Sequence, residues 1–218
     1  MIRRLLAEGT GSLLLAAAVI GSGVMAERLA AGNAAVALIA NTGATVAALC
    51  VLIAAFAPVS GAHFNPAVTG VMAGRGSLAW RDAAAYTVVQ ITGCCAGAIL
   101  VHAMFELPLL QLSSHIRAGW AQWLAEFVAT AGLILVITGS RGETRAAWMV
   151  AAWIGAAYWF TSSTSFANPA ITIARAMSDT FTGIRPVDVP AFVLAQTLGA
   201  AAGSVISRIL FPAGRRLP

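Results

Sequence analysis

An all-α membrane protein, a six-helix transmembrane bundle with two re-entrant half-helices, is predicted by three observations. The chain has 218 residues, of which 59% are hydrophobic and only 10% charged, and its mean hydropathy is +0.84. The apolar residues fall into six long stretches and two short ones. The polar tripeptide Asn-Pro-Ala opens each short stretch, at 65–67 and again at 168–170. A soluble domain carries about 25% charged residues. A chain this poor in charge cannot cover a globular surface, so apolar spans in a lipid bilayer take the place of a core.

The first long stretch, about 5–26, follows Ile2–Arg4 and at first sight resembles a signal peptide. Glu8 sits early in it and it is long enough to span, so it reads as a retained first helix. The other long stretches lie at about 34–57, 82–104, 119–138, 146–165 and 188–211, each near the roughly 20 residues that a span needs. The short ones, 65–74 and 168–178, hold about ten residues. Ten residues make about 15 Å of helix, half of a hydrocarbon core of about 30 Å. Asparagine is a favoured N-cap and proline a favoured first helical residue. Asn65-Pro66-Ala67 and Asn168-Pro169-Ala170 therefore each start a half-length helix.

The two halves repeat. Each has a Glu early in its first span, Glu8 and Glu126, and an Asn-Pro-Ala after its second. Three spans per half is odd, so the second half is inverted relative to the first. The whole, 1–218, is one domain made of repeats at about 1–104 and 119–218. The net charge of +5 comes from arginine alone, for there is no lysine. Arg3, Arg4, Arg75, Arg81, Arg141, Arg145, Arg208, Arg215 and Arg216 fall on one side of the spans, and Arg28, Arg117 and Arg185 on the other. The positive-inside rule then places both termini in the cytoplasm, in a cell (inner) membrane. Arginines placed between spans make no nucleic-acid stripe, and no nucleic acid is expected as a partner. Cys50, Cys94 and Cys95 lie within spans and read as packing residues. No cofactor and no metal is expected.

Two half-helices meeting N-terminus to N-terminus at the midplane aim both positive dipole ends at one spot. Asn65 and Asn168 add N–H donors there, and the positive potential disfavours cations, protons included. This describes a pore for neutral solutes, or for anions. Glu8 and Glu126 are isolated intramembrane carboxylates, with no lysine in the chain and no intramembrane histidine near them in sequence. They read as acceptors for the unwound backbone before each half-helix rather than as a proton relay. Ser60-Gly61 reads as a tight turn, and His63 has no nucleophile or carboxylate partner that would make it catalytic.

With six spans and paired Glu, "SGAHFNPAVT" and "ANPA" resemble the aquaporin (major intrinsic protein) family along almost the whole chain. The resemblance implies a right-handed bundle, a homotetramer with one pore per subunit, pore asparagines at Asn65 and Asn168, structural roles for Glu8 and Glu126, and His63 at the cytoplasmic pore mouth. Water-selective relatives have Arg directly after the second Asn-Pro-Ala, where this chain has Ile171. Counting offsets from the motifs places the other constriction residues near Thr45, Ala156 and Ser165. The filter is therefore expected to be wider, less polar and uncharged. Arg175 lies one turn beyond Ile171. Pairing with Asp179 at i, i+4 is its favoured role, and a charge supplied to the pore mouth is the alternative. "NPAITIAR" also resembles a subgroup of bacterial members linked to arsenite handling. The expected function is a passive channel, not an enzyme, for small uncharged solutes: metalloid hydroxides such as arsenous acid, glycerol-like polyols, and water. A water-selective pore is the alternative, and an ion-coupled transporter stands behind it. Gly93, Ala96, Gly97, Gly199, Ala202 and Gly203 allow close helix approach, between subunits or within one.

Overall fold

The structure, a computed structural model, describes residues 1–140 and 143–211. Arg141, Arg215 and Arg216 lie outside the described residues. The elements are α1 (Ile2–Leu29), α2 (Ala34–Ser60), α3 (Pro66–Gly74), α4 (Trp80–Met104), α5 (Trp120–Gly139), α6 (Glu143–Phe160), α7 (Pro169–Arg175) and α8 (Val189–Leu210), the last entered through a 3-10 turn at Pro186–Asp188. No strand occurs among the described residues. Among the described residues, five helices are long and apolar enough to cross a membrane. The sixth long helix, α6, has only 18 residues, and they begin on Glu143 and include Arg145.

Two boundaries differ from the sequence reading. The stretch 146–165 stops being helical at Phe160. Thr164 and Ser165 take positive φ (62° and 49°), a conformation that cannot continue a right-handed helix, and the chain dives back toward the pore. The stretch 168–178 stops at Arg175. There the Arg175 carbonyl accepts from Ser178 N and Ile184 N, at 3.3 and 3.4 Å, and folds the chain over itself.

Helix α4 crosses α1, and α8 crosses α5, with backbones in contact. A Cβ on Gly93 would run into the Gly9 carbonyl oxygen, and one on Gly97 into that of Leu13. Gly199 meets Phe127 and Gly203 meets Ala131 in the same way. These four glycines therefore serve contacts inside the bundle. Ala96 is exposed and Ala202 half-buried.

The arginines separate by end. At the end where α1 begins, Arg4 stacks over Tyr86, 5.4 Å from the ring centre. There Arg75 donates to Ser207 Oγ (2.8 Å) and Arg208 to the Gly74 carbonyl (3.1 Å). At the opposite end Arg28 donates to the Phe105 carbonyl (2.9 Å), near the loops that carry Arg117 and Arg185.

Candidate functional site

Each half-helix begins as its tripeptide dictates. Asn65 Oδ1 accepts from Ala67 N (2.9 Å) and Asn168 Oδ1 from Ala170 N (3.0 Å), with Pro66 and Pro169 at the first helical positions. The loops before them are irregular. Ala62 and Phe64 in one, Ser165 and Ala167 in the other, have φ between 46° and 49°. Such residues each cost about 1–3 kcal/mol and persist only where the surroundings hold them.

The two buried carboxylates hold them. Glu8 accepts from Ser60 Oγ (2.7 Å), His63 N (2.9 Å), Phe64 N (2.7 Å) and Gln90 Nε2 (2.8 Å). Glu126 accepts from Ser163 Oγ (2.6 Å), Phe166 N (2.9 Å), Ala167 N (2.9 Å) and Gln196 Nε2 (2.6 Å). Both are fully buried, and neither lines the cavity. Ser60, Ser163, Gln90 and Gln196 were not singled out as members of this network by the sequence reading. For Gln90 and Gln196 the signal was present, since each polar residue stands in an apolar span; Ser60 sits at the end of α2 and Ser163 just past the end of α6, where nothing local marks them. Gly61 (φ 90°) makes the turn after Ser60.

The half-helices are also tied to each other. Asn65 Nδ2 donates to the Ala167 carbonyl and Asn168 Nδ2 to the Phe64 carbonyl, each at 2.8 Å. An amide nitrogen carries two hydrogens. One from each Asn is spent on this crossing, and both residues line the central cavity.

That cavity measures about 320 Å³, room for roughly ten waters at about 30 Å³ each. Its walls come in matching positions from the two halves: Leu15 and Leu133, Val19 and Ile137, Val68 and Ile171, Met72 and Arg175. Leu49, Ile53, Val150 and Ile154 complete a largely apolar middle. His63 lies in the α3 loop, where its Nδ1 is 3.1 Å from Thr69 Oγ1. Thr45, Tyr158, Ser165, Phe166 and Arg175 also line the cavity. The two hydroxyls of Thr45 and Tyr158 are 3.4 Å apart.

Two expectations are corrected here. Ala156 does not line the cavity and is exposed on the outer face of α6. Val150, Ile154 and Tyr158 face inward at i, i+4 spacing, and Ala156 lies about 200° round from Tyr158 at about 100° per residue. Arg175 does not pair with Asp179. Its Nε donates to the Thr182 carbonyl, and its guanidinium carbon lies 3.3 Å from the centre of the Phe166 ring. Asp179 instead accepts from Ser114 N and Oγ, at 2.8 and 2.9 Å. With Arg175 and Tyr158 in the lining, the cavity wall is neither uncharged nor free of aromatic groups. Arg117, also missed, donates to the Gly183 carbonyl (2.7 Å) and stands 5.0 Å from the Phe166 ring centre.

Two half-helices held N-terminus to N-terminus at a lumen, inside a bundle of apolar helices, define a membrane channel. The family model for the major intrinsic proteins matches residues 1–161. An aquaglyceroporin from Rhizobium meliloti (strain 1021), AqpS, is 51% identical over 217 residues, covering 99% of this chain and 93% of its own length. Aquaporin NIP1-3 of Oryza sativa subsp. japonica is 35% identical over 128 residues, 53% of this chain and 45% of that one. The X-ray structure of the aquaglyceroporin from Plasmodium falciparum superposes with a TM-score of 0.75 at 18% identity, covering 97% and 96% of the two chains. The chain belongs to the major intrinsic protein family. Its members are channels, not enzymes.

Proposed function

We propose that the protein is a passive channel for small uncharged solutes, glycerol-like polyols and metalloid hydroxides such as arsenous acid together with water, and that it excludes protons and ions. The reading rests on one observation: two asparagine amides face a continuous apolar lumen and supply its central polar groups. A solute with a few hydroxyls and apolar edges keeps hydrogen bonds at the asparagines and at the Thr45, Tyr158 and Ser165 hydroxyls while its carbon face slides along Leu49, Ile154 and Ile171. The positive helix ends repel cations. The name of the Rhizobium relative supports glycerol as a solute.

Thr45, Ser165, Ile171, Tyr158 and Arg175 are the selectivity residues in this reading, with the α7 end as the outer mouth and His63 toward the cytoplasm. The arginine-rich end around Arg4, Arg75 and Arg208 supports cytoplasmic termini in an inner membrane. A homotetramer, one pore per subunit, is implied by family membership. The guanidinium in the lumen favours a second reading, a water-selective pore.

Stopped-flow light scattering on proteoliposomes separates the two. Measurable glycerol or arsenous acid flux, unaffected by proton or sodium gradients, supports the first. Water flux alone overturns it in favour of the second.

A further inference from the structure

We infer that the α7 end of the pore is a binding site for a small planar oxyanion, which sits on Arg175 and obstructs neutral solutes without being conducted. The inference rests on the reading of the cavity as a pore. Arg175 is 2% exposed and lines the lumen. Its Nε is engaged by Thr182 and its flat face by Phe166. The two terminal nitrogens of the guanidinium have no acceptor among the described residues. The ion pair recorded among those residues is Arg185–Asp188, so Arg175 has no carboxylate partner. A buried charge without a partner is strongly unfavourable, and its fork of parallel N–H groups fits a planar oxyanion.

The neighbouring groups are also donors in waiting. Ser165 Oγ is enclosed and makes no hydrogen bond. The Thr45–Tyr158 contact is long, at 3.4 Å, so either hydroxyl is free to turn to a ligand. Arg117 adds a second positive charge beside the same ring, 5.0 Å from its centre. The nearby carboxylate, Glu126, lies behind the loop with four donors already on it. The site therefore presents positive charge and hydroxyls able to donate, with no free carboxylate facing it, which selects an anion.

An anion that enters does not pass. Beyond Arg175 the walls are Ile171, Ile154, Leu49, Leu133, Val68 and Leu15, with the Asn65 and Asn168 amides as the central polar groups, and two amides replace too little of an anion's water to offset its desolvation. It stays at the mouth and competes with neutral solutes for it.

Nitrate is a suitable probe, being planar, monovalent and ionised at neutral pH. In detergent, sodium nitrate should raise the melting temperature of the full protein relative to sodium gluconate at equal ionic strength. In proteoliposomes it should reduce glycerol flux at least twofold. Arg175→Gln should lose both effects. Tyr158→Phe and Ser165→Ala should each weaken nitrate binding about fivefold, the equivalent of one neutral hydrogen bond. They decide the matter if Arg175→Gln does not fold. Absence of nitrate-specific stabilisation in the wild type, or unchanged nitrate affinity in the variants, overturns the inference. If wild-type vesicles pass no glycerol, the proposed solute range fails while the melting measurement still tests the anion site.

Discussion

Met72 and Arg175 occupy the same place on the two half-helices, each seven residues after its pore asparagine and each in the cavity wall. The same is true of His63 and Phe166, which lie two residues before those asparagines. Around them the two halves are built alike: Glu8 and Glu126 each accept four hydrogen bonds, two of them from loop N–H groups, and glycines on α4 and α8 bring the backbones of α1 and α5 into contact. The plan that positions the pore is duplicated, whereas the side chains that meet the solute are not. On the α3 side they are a thioether and an imidazole, on the α7 side a guanidinium stacked on a phenyl ring. Hydrogen-bond satisfaction fixes the shared parts, because an unmet buried donor costs about 1–3 kcal/mol. No such penalty fixes residues that face a lumen, so the two ends are free to differ.

The likeness is tested most severely at the carboxylates. Glu8→Gln and Glu126→Gln should each leave a loop donor facing the new amide NH₂, at about 1–3 kcal/mol per unmet group. Both should lower the yield of folded protein on fluorescence-detected size exclusion far more than they alter solute selectivity. A well-folded Gln variant with a changed proton dependence of flux would mean a relay instead. One tolerated and one lethal variant would mean that the halves are not equivalent.

Selectivity should be lopsided. Ile171→Arg puts a cation into the lumen one turn below Arg175 and should cut glycerol flux about tenfold, a barrier change of about 1.4 kcal/mol, with a smaller loss of water flux. Arg175→Met, which makes the α7 end resemble the α3 end, should raise the glycerol-to-water ratio. Unchanged ratios in both variants would remove the α7 end from the selectivity mechanism.

Packing should again be even-handed. Gly93→Ala and Gly199→Ala each overpack a backbone crossing, at about 1–3 kcal/mol, and thermal melts should show similar losses. A silent Gly199→Ala would show that α5 and α8 can separate where α1 and α4 cannot.

The smallest effect lies in the α7-end loops. Hydrogen bonds from Ser114, the backbone N–H first, hold the Asp179 carboxyl below the ordinary carboxylate value. A lowered folded value means that the contact stabilises above the unfolded value of about 3.9 and is lost as pH falls through the folded one. Acid titration should shift the Ser114 amide resonance in that lower window, and Asp179→Asn should abolish the shift.

Much of this was readable in the chain. Composition demanded spans, Asn-Pro-Ala demanded two half-helices, and paired Glu in an apolar setting demanded backbone partners. All three follow from local chemistry and from the absence of water around buried polar groups. Family membership was readable in the same motifs. The cavity wall was less so. Counting back from Asn168 across an irregular loop placed Ala156 in the wall, but two residues of slippage turn a helix by about 200° and put Tyr158 there instead. Arg175 was paired with Asp179 by helical spacing, but α7 ends at Arg175, so that spacing does not exist. The partners of Arg175 come from both sides of α7: Thr182 reaches it because the chain folds back at 178–184 over the end of the half-helix, and Phe166 because Glu126 holds the loop before it. Local propensity and polar satisfaction belong to short stretches of sequence. The direction in which a side chain faces a lumen depends on helix rotation and loop return, and those are set by contacts among distant residues.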